Sequence, residues 1–267
     1  MICGILIFKK KIKKKLVIGF ISCCFSHIIS GDFVSKRLKF FLSHLSLSIF
    51  IALIVLGLVF LIWYPFPLAQ AIGVTDIFLM LLAIDVIIGP MLGWVVYKEG
   101  KKTLKMDLSI IVLVQILAMS YGVYVIAQSR PAWIVQAGWL FEVVPASAID
   151  VDDQEQANQS YKNNSWLQPE WIAVDDAKNP QNTLAAPQLM PTTYNDLSYA
   201  QQRLKQYAQP LESLRQFNEP KAIEKILDAY PMAQSWMPLR TTGIGLTVLL
   251  DQDYKVIKVV DLRPWQE

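Results

Sequence analysis

Eighteen consecutive residues, Leu47 to Tyr64, read LSIFIALIVLGLVFLIWY and contain no charge. A helix of that length and character is long enough to cross a hydrocarbon core of about 30 Å, and few soluble folds could bury it. The first span extends from about Phe40 to Tyr64. Trp63 and Tyr64 close it as interfacial aromatics do, and Pro65 and Pro67 stop the helix directly afterwards. A second span, about Ile77 to Tyr97, reads IFLMLLAIDVIIGPMLGWVVY, with Trp94 and Tyr97 at its far end. A third, about Leu108 to Ala127, reads LSIIVLVQILAMSYGVYVIA and ends at Arg130-Pro131.

The remainder of the 267 residues has ordinary soluble composition, so the 54% hydrophobic content and the mean hydropathy of +0.35 come from the spans. Two compositions imply two solvents, lipid for residues 34–131 and water for residues 132–267, a length able to bury its own core.

The lysines orient the chain. Lys9, Lys10, Lys11, Lys13, Lys14, Lys15, Lys36, Arg37 and Lys39 precede span one, and Lys98, Lys101, Lys102 and Lys105 lie between spans two and three. The loop Pro65 to Asp76 has no lysine or arginine. The positive-inside rule then puts the N-terminus in the cytoplasm of a bacterial inner membrane. Three crossings carry the C-terminal domain to the periplasm. The net charge of +3 reports this topology and gives no reason to expect nucleic acid.

Residues 1–33 form an N-terminal extension with two readings. KKKIKKK before LVIGFISCCF resembles the charged and apolar regions of a signal peptide, cleaved or lipid-modified at Cys23. Alternatively, translation starts near Val34.

Inside span two, Asp85 costs about 2.5–3.5 kcal/mol on insertion scales, which makes it a functional candidate. At its depth, roughly 12 Å below the outer end, span three presents Ser120 and Tyr121. Either hydroxyl could satisfy the carboxylate internally, or Asp85 could face a partner's transmembrane helix. Pro90 removes the bond to the Val86 carbonyl and is expected to kink the span. Gly89 and Gly93, four apart, make a surface that another helix can approach closely, whether from this chain or from a partner. Gln115 suits an interhelical hydrogen bond.

The domain after Arg130 has no cysteine or histidine, because Cys3, Cys23, Cys24, His27 and His44 all lie earlier. A disulfide, a His/Cys metal site and a His- or Cys-based catalytic dyad are therefore excluded there by inventory. No cofactor motif, phosphate loop or nucleophile elbow is present. Asp152-Asp153 and Asp175-Asp176 read as solvated turns rather than acid/base couples. For secondary structure, PAWIVQAGWLFEVV predicts a strand over Pro131–Val144, followed by a loop over Ala146–Ser165 and a strand over Trp166–Val174. A helix capped by Asn195 or Asp196 carries Leu197, Ala200, Leu204, Tyr207, Leu211 and Leu214, bent at Pro210. A second helix follows Pro220, and GLTVLL with YKVIKVVDL closes the chain as a hairpin. The expected class is a three-helix transmembrane region plus a small α+β extracytoplasmic domain.

Four stretches carry a resemblance: SKRLKFFLSHLSLS, GVTDIFLMLLAIDVIIGPMLGWVVYKEGKKTLKMDLS, QSRPAW and VVDLRPW. From Val34 onwards the chain resembles the TfpX/TfpZ family of type IV pilin accessory proteins of Gram-negative bacteria. The resemblance implies a small membrane protein that helps the major pilin become assembled into fimbriae, and it supplies no catalytic residue. A non-enzymatic chaperone or assembly modulator is the expected function. The partners are then pilin, other pilus accessory proteins and the bilayer, with Asp85, Gly89, Pro90 and Gly93 as the helix-docking surface. A pilin-modifying membrane enzyme and a generic membrane-anchored scaffold are the competing classes.

Overall fold

The computed structural model describes residues 35–178 and 186–266; the N-terminal extension lies outside the described residues. Three long apolar helices appear. Helix α1, Lys36–Gly57, continues into a wider π-helical stretch over Leu58–Trp63, and α3 and α4 span Val74–Val96 and Leu104–Gln128. A five-residue helix α2, Leu68–Ile72, stands between the first two. The long helices expose large apolar side chains such as Leu53 (62%), Val95 (64%) and Leu117 (61%). That is the behaviour of surfaces solvated by lipid.

Contacts divide the chain into two compact units whose boundaries fall inside the long helices. Among the described residues, the first unit comprises those up to Leu53 together with Met80–Ser120; the second comprises Ile54–Leu79 and those from Tyr121 on. In the first unit, aromatic side chains tie the start of α1 to the end of α3. Arg37 lies 4.6 Å from the centroid of the Trp94 ring and donates from Nε to the Trp94 carbonyl at 2.6 Å. A cation at the C-terminal end of a helix meets both its unpaired carbonyls and its dipole. Phe40 stacks on Tyr97, and Phe41 meets Trp94 edge-on.

The second unit is built on an eight-stranded mixed sheet. Its strands are β1 Pro131–Ala137, β2 Leu140–Pro145, β3 Glu170–Val174, β4 Tyr194–Asp196, β5 Gln209–Pro210, β6 Ser235–Arg240, β7 Leu246–Leu250 and β8 Val256–Val260. The order is β4-β3-β1-β2-β6-β7-β8. Strands β1 and β3 run parallel, as do β2 and β6; the other neighbours are antiparallel. Strand β5 pairs antiparallel with the first residues of β6, and β2 pairs with its last.

Both faces of the sheet are covered, which is why β1 and β7 are buried along almost their whole length rather than at alternate residues. Ile134, Phe141, Ala173, Met237, Leu239 and Val248 face one layer, whose cover includes Leu204 of helix α6 (Gln201–Tyr207) and Leu68 and Ala71 of α2. On the other face, Trp133, Val135 and Ile172 pack with Tyr194. Trp236, Leu249 and Val260 pack there with Leu214 and with Ile223 of helix α7 (Pro220–Ala229). The period of two along each strand sorts its residues between these layers. Helix α5, Val151–Gln156, starts at Asp150, whose side chain accepts from the Asp153 amide.

The α+β class and the closing hairpin agree with the expectation from sequence, and four local expectations are corrected. The loop expected over Ala146–Ser165 contains helix α5, and the strand expected over Trp166–Val174 begins only at Glu170. Pro131–Val144 is a hairpin rather than one strand, because Gly138 takes a positive φ of 59° and turns the chain at Gly138-Trp139. The helix expected to bend at Pro210 instead ends at Tyr207. Pro210 lies in β5, and a separate 3₁₀ segment, Leu211–Gln216, carries Leu211 and Leu214. With no N–H to give and a clashing ring, proline terminates the helix here.

Candidate functional site: a polar cleft among the apolar helices

Gly89 and Gly93 let side chains of α4 and α1 reach the backbone of α3. A Cβ at Gly89 would coincide with the Gln115 amide. A Cβ at Gly93 would come within 2.8 Å of the Phe40 ring and 3.5 Å of His44 Nδ1. Gln115 uses the notch at Gly89 to donate from Nε2 to the main-chain carbonyl of Asp85 at 2.8 Å. The interhelical role read for Gln115 is thus made with backbone, and the small residues admit neighbours from the same chain. Pro90 is buried within α3, which continues through it to Val96.

Beside this junction lies a cleft of about 320 Å³, open on one side and lined by His44, Ser48, Asp85, Gln115 and Ser120 together with apolar residues of α1, α3 and α4. Asp85 Oδ2, Gln115 Oε1 and His44 Nδ1 are buried and have no hydrogen-bond partner. Ser120 shares the cleft with Asp85 without closing a bond to Oδ2. Tyr121 belongs to the second unit and exposes 71% of its surface. A smaller hollow of about 230 Å³ between α3 and α4 also includes Asp85, Gly89 and Gln115.

Such an arrangement is a polar notch in an apolar setting. Unsatisfied polar atoms are costly away from water, so the site favours an incoming hydrogen-bonding group. His44 was not singled out from sequence. The available signal was its position one helical turn after Phe40, on the side that meets Gly93.

The paired carboxylates of the second unit do structural work. Asp153 accepts from the Thr192 amide at 2.8 Å and its hydroxyl at 2.6 Å. Asp175 accepts from Tyr199 Oη at 2.8 Å and the Ala177 amide at 3.1 Å. Burial alone would raise Asp175, but these bonds and Lys178 hold it below the usual carboxylate range. Asp176 pairs with Arg203 at 2.6 Å. Among the described residues, no three His, Cys, Asp or Glu side chains gather as a metal site would need.

At the junction of spans and sheet, the Tyr64 hydroxyl donates to the Ile126 carbonyl at 3.0 Å. Arg130 donates from Nη1 to the Ala127 carbonyl at 2.7 Å.

Fold and site together define a membrane-anchored protein: three apolar helices with a polar notch among them, and a sheet-based α+β domain. A family model described as "Fimbrial assembly protein FimB" matches residues 32–73. Fimbrial assembly proteins of Dichelobacter nodosus are similar as well. That of serogroup I is 31% identical over 140 residues, covering 52% of this chain and 54% of that protein. That of serogroup E1 is 30% identical over the same shares. That of serogroups C1 and C2 is 32% identical over 116 residues, which are 43% of this chain and 88% of that protein. The chain belongs to this family of fimbrial assembly proteins. The matched stretch spans about half the length of the serogroup I and E1 relatives. No solved structure matches the chain.

Proposed function

We propose that this protein is a non-enzymatic inner-membrane accessory factor for type IV pilus biogenesis. In this reading it holds or presents the major pilin before assembly, as the resemblance to the TfpX/TfpZ pilin accessory proteins implies. Its relatives are named for fimbrial assembly. The lysine asymmetry supports a cytoplasmic N-terminus and a periplasmic sheet domain.

The observation that carries the reading is the cleft beside Asp85. An apolar helix waiting in the membrane can be recognised by packing and by hydrogen bonds that lipid cannot offer. The polar atoms of Asp85, Gln115 and His44 in a notch among apolar helices suit a pilin helix that brings a polar side chain. Gly89 and Pro90 shape the notch, and Gly93 positions Phe40 and His44 beside it.

The test is site-directed cross-linking from α3 to pilin in membranes, with Asp85→Asn and Gly89→Leu. Each interhelical polar contact is worth about 0.6–2 kcal/mol, so either change should cut the cross-linked fraction roughly three- to thirtyfold. Unchanged cross-linking in both variants would remove this cleft as the docking site. The wider role is read from an in-frame deletion by comparing total with sheared surface pilin. Loss of surface pili with pilin of normal mass supports assembly, whereas pilin of altered mass makes the protein a modifying enzyme.

A further inference from the structure

The loop between α5 and β3 carries two large apolar side chains that its own domain does not cover. Trp166 exposes 62% of its surface and Leu167 67%. Two contacts within the second unit fix where they sit. Trp63, the last residue of the first span, donates from Nε1 to the Trp166 carbonyl at 2.9 Å. Arg130, two residues beyond the end of α4, places its guanidinium 3.9 Å from the centroid of the Trp166 ring. Trp166 is therefore held level with the ends of two membrane helices. Phe66, three residues after Trp63, is 68% exposed.

We propose that Trp166 and Leu167 are seated in the phospholipid bilayer, at the boundary between headgroups and acyl chains, and that this loop is a further membrane contact of the sheet domain. The local chemistry meets the conditions for entry. Asn163 to Gln168, NNSWLQ, carries no charge. Backbone groups must be paired before a segment leaves water, and around the tip several are. The Trp166 carbonyl accepts from Trp63, the Ser165 carbonyl from Arg130 at 3.5 Å, and the Leu167 amide donates to Ser165 Oγ at 3.1 Å. Indole, with an apolar body and a polar edge, is enriched at this depth. The occupant is lipid rather than a protein because the patch continues the surface of spans that are themselves lipid-facing. The inference is independent of whether pilin docks at Asp85.

The experiment uses the full chain with Cys3, Cys23 and Cys24 replaced by Ser, reconstituted in phosphatidylethanolamine/phosphatidylglycerol vesicles. Spin labels are placed at Leu167→Cys, at Phe66→Cys, and at Gln252→Cys in the exposed turn between β7 and β8. Collision rates are read with oxygen, which concentrates in lipid, and with a water-soluble nickel chelate. The expected result is oxygen exceeding chelate at 167 and 66, with the order reversed at 252. A label at 167 that behaves like the one at 252 overturns the proposal by placing the loop in water. A label at 167 shielded from both reagents overturns it equally, because protein would then cover the tip.

Discussion

Replacing Gly243 by alanine should detach the short helix α2 from the sheet domain, and the structure gives the scale. The Ala71 carbonyl accepts from the Ile244 amide at 2.8 Å, and the Thr241 hydroxyl lies 3.1 Å from the same oxygen. A Cβ at Gly243 would run into that oxygen, which is backbone and cannot swing aside as a side chain would. Either the 241–244 turn or the 68–72 segment must withdraw, and the Ile244 bond goes with it. One such bond contributes about 0.5–1.5 kcal/mol, and leaving a buried carbonyl unpaired raises the cost to about 1–3 kcal/mol. About 2 kcal/mol corresponds to roughly a thirtyfold rise in the population of the opened form. Limited proteolysis of the full-length protein in detergent, at protease levels where closing outruns cleavage, reads that population directly. Gly243→Ala should be cut between Pro65 and Gly73 at roughly thirty times the parent rate, and Thr242→Ala, at an exposed neighbour, within about twofold. Parent-like cleavage of Gly243→Ala would refute the claim that α2 is held through this turn.

Two further outcomes follow from the same packing. A fragment of residues 131–267 lacks Leu68 and Ala71, which are both 3% exposed in the sheet's core layer. It should be about 2–5 kcal/mol less stable to urea than the same fragment joined by a linker to residues 64–73; equal midpoints would mean the layer closes without them. Burial pushes the phenol of Tyr194 well above the ordinary value near 10. Because this folded-state value is raised, its contribution to stability is complete below about pH 10 and is lost as pH climbs towards it. Ultraviolet titration should then find at least one of the ten tyrosines un-ionised until the domain unfolds, and all ten ionising together near pH 10 would contradict the burial.

The spans were legible because lipid imposes one requirement, a long uncharged helix, and composition alone meets or fails it. The closing hairpin was legible because Asp251-Gln252-Asp253 interrupts two apolar runs, and Asp251 accepts from the Asp253 and Lys255 amides to form that turn. The order of the sheet was not. Parallel pairing of β1 with β3 and of β2 with β6 joins strands separated by intervening elements, and no local pattern specifies such partners. Strand β6 was missed outright, since SWMPLR has a proline at its centre and prolines argue against interior strands. At the intramembrane site, Asp85, Gly89, Gly93 and Gln115 were each legible as exceptions to apolar sequence. What joined them was not: the notch at Gly89 is filled by Gln115 from α4, while Gly93 lies under Phe40 and His44 of α1.

The loop between the first two spans shows how a correct topology can still hide a structural role. Pro65 to Val74, PFPLAQAIGV, has no charge and is far too short to cross a bilayer, so topology alone makes it a simple connector. Connectors in water are polar, however, and this one is apolar at Leu68, Ala71 and Ile72. Those side chains required a surface to bury against, and the sheet domain provides it. The same need accounts for Gly243, since only a residue without a Cβ lets the 241–244 turn approach the Ala71 carbonyl. Trp63, Tyr64 and Arg130 repeat the logic at the neighbouring span ends, where an aromatic and a cation that would suit a membrane interface bond to protein backbone instead. The second unit is therefore a domain assembled from two separate stretches of chain: Ile54–Leu79, which holds the end of the first span, the apolar connector and the start of the second span, and the described residues from Tyr121 on. Leu68 and Ala71 complete one layer of its core, so the sheet domain draws part of its stability from the segment that joins the first two spans.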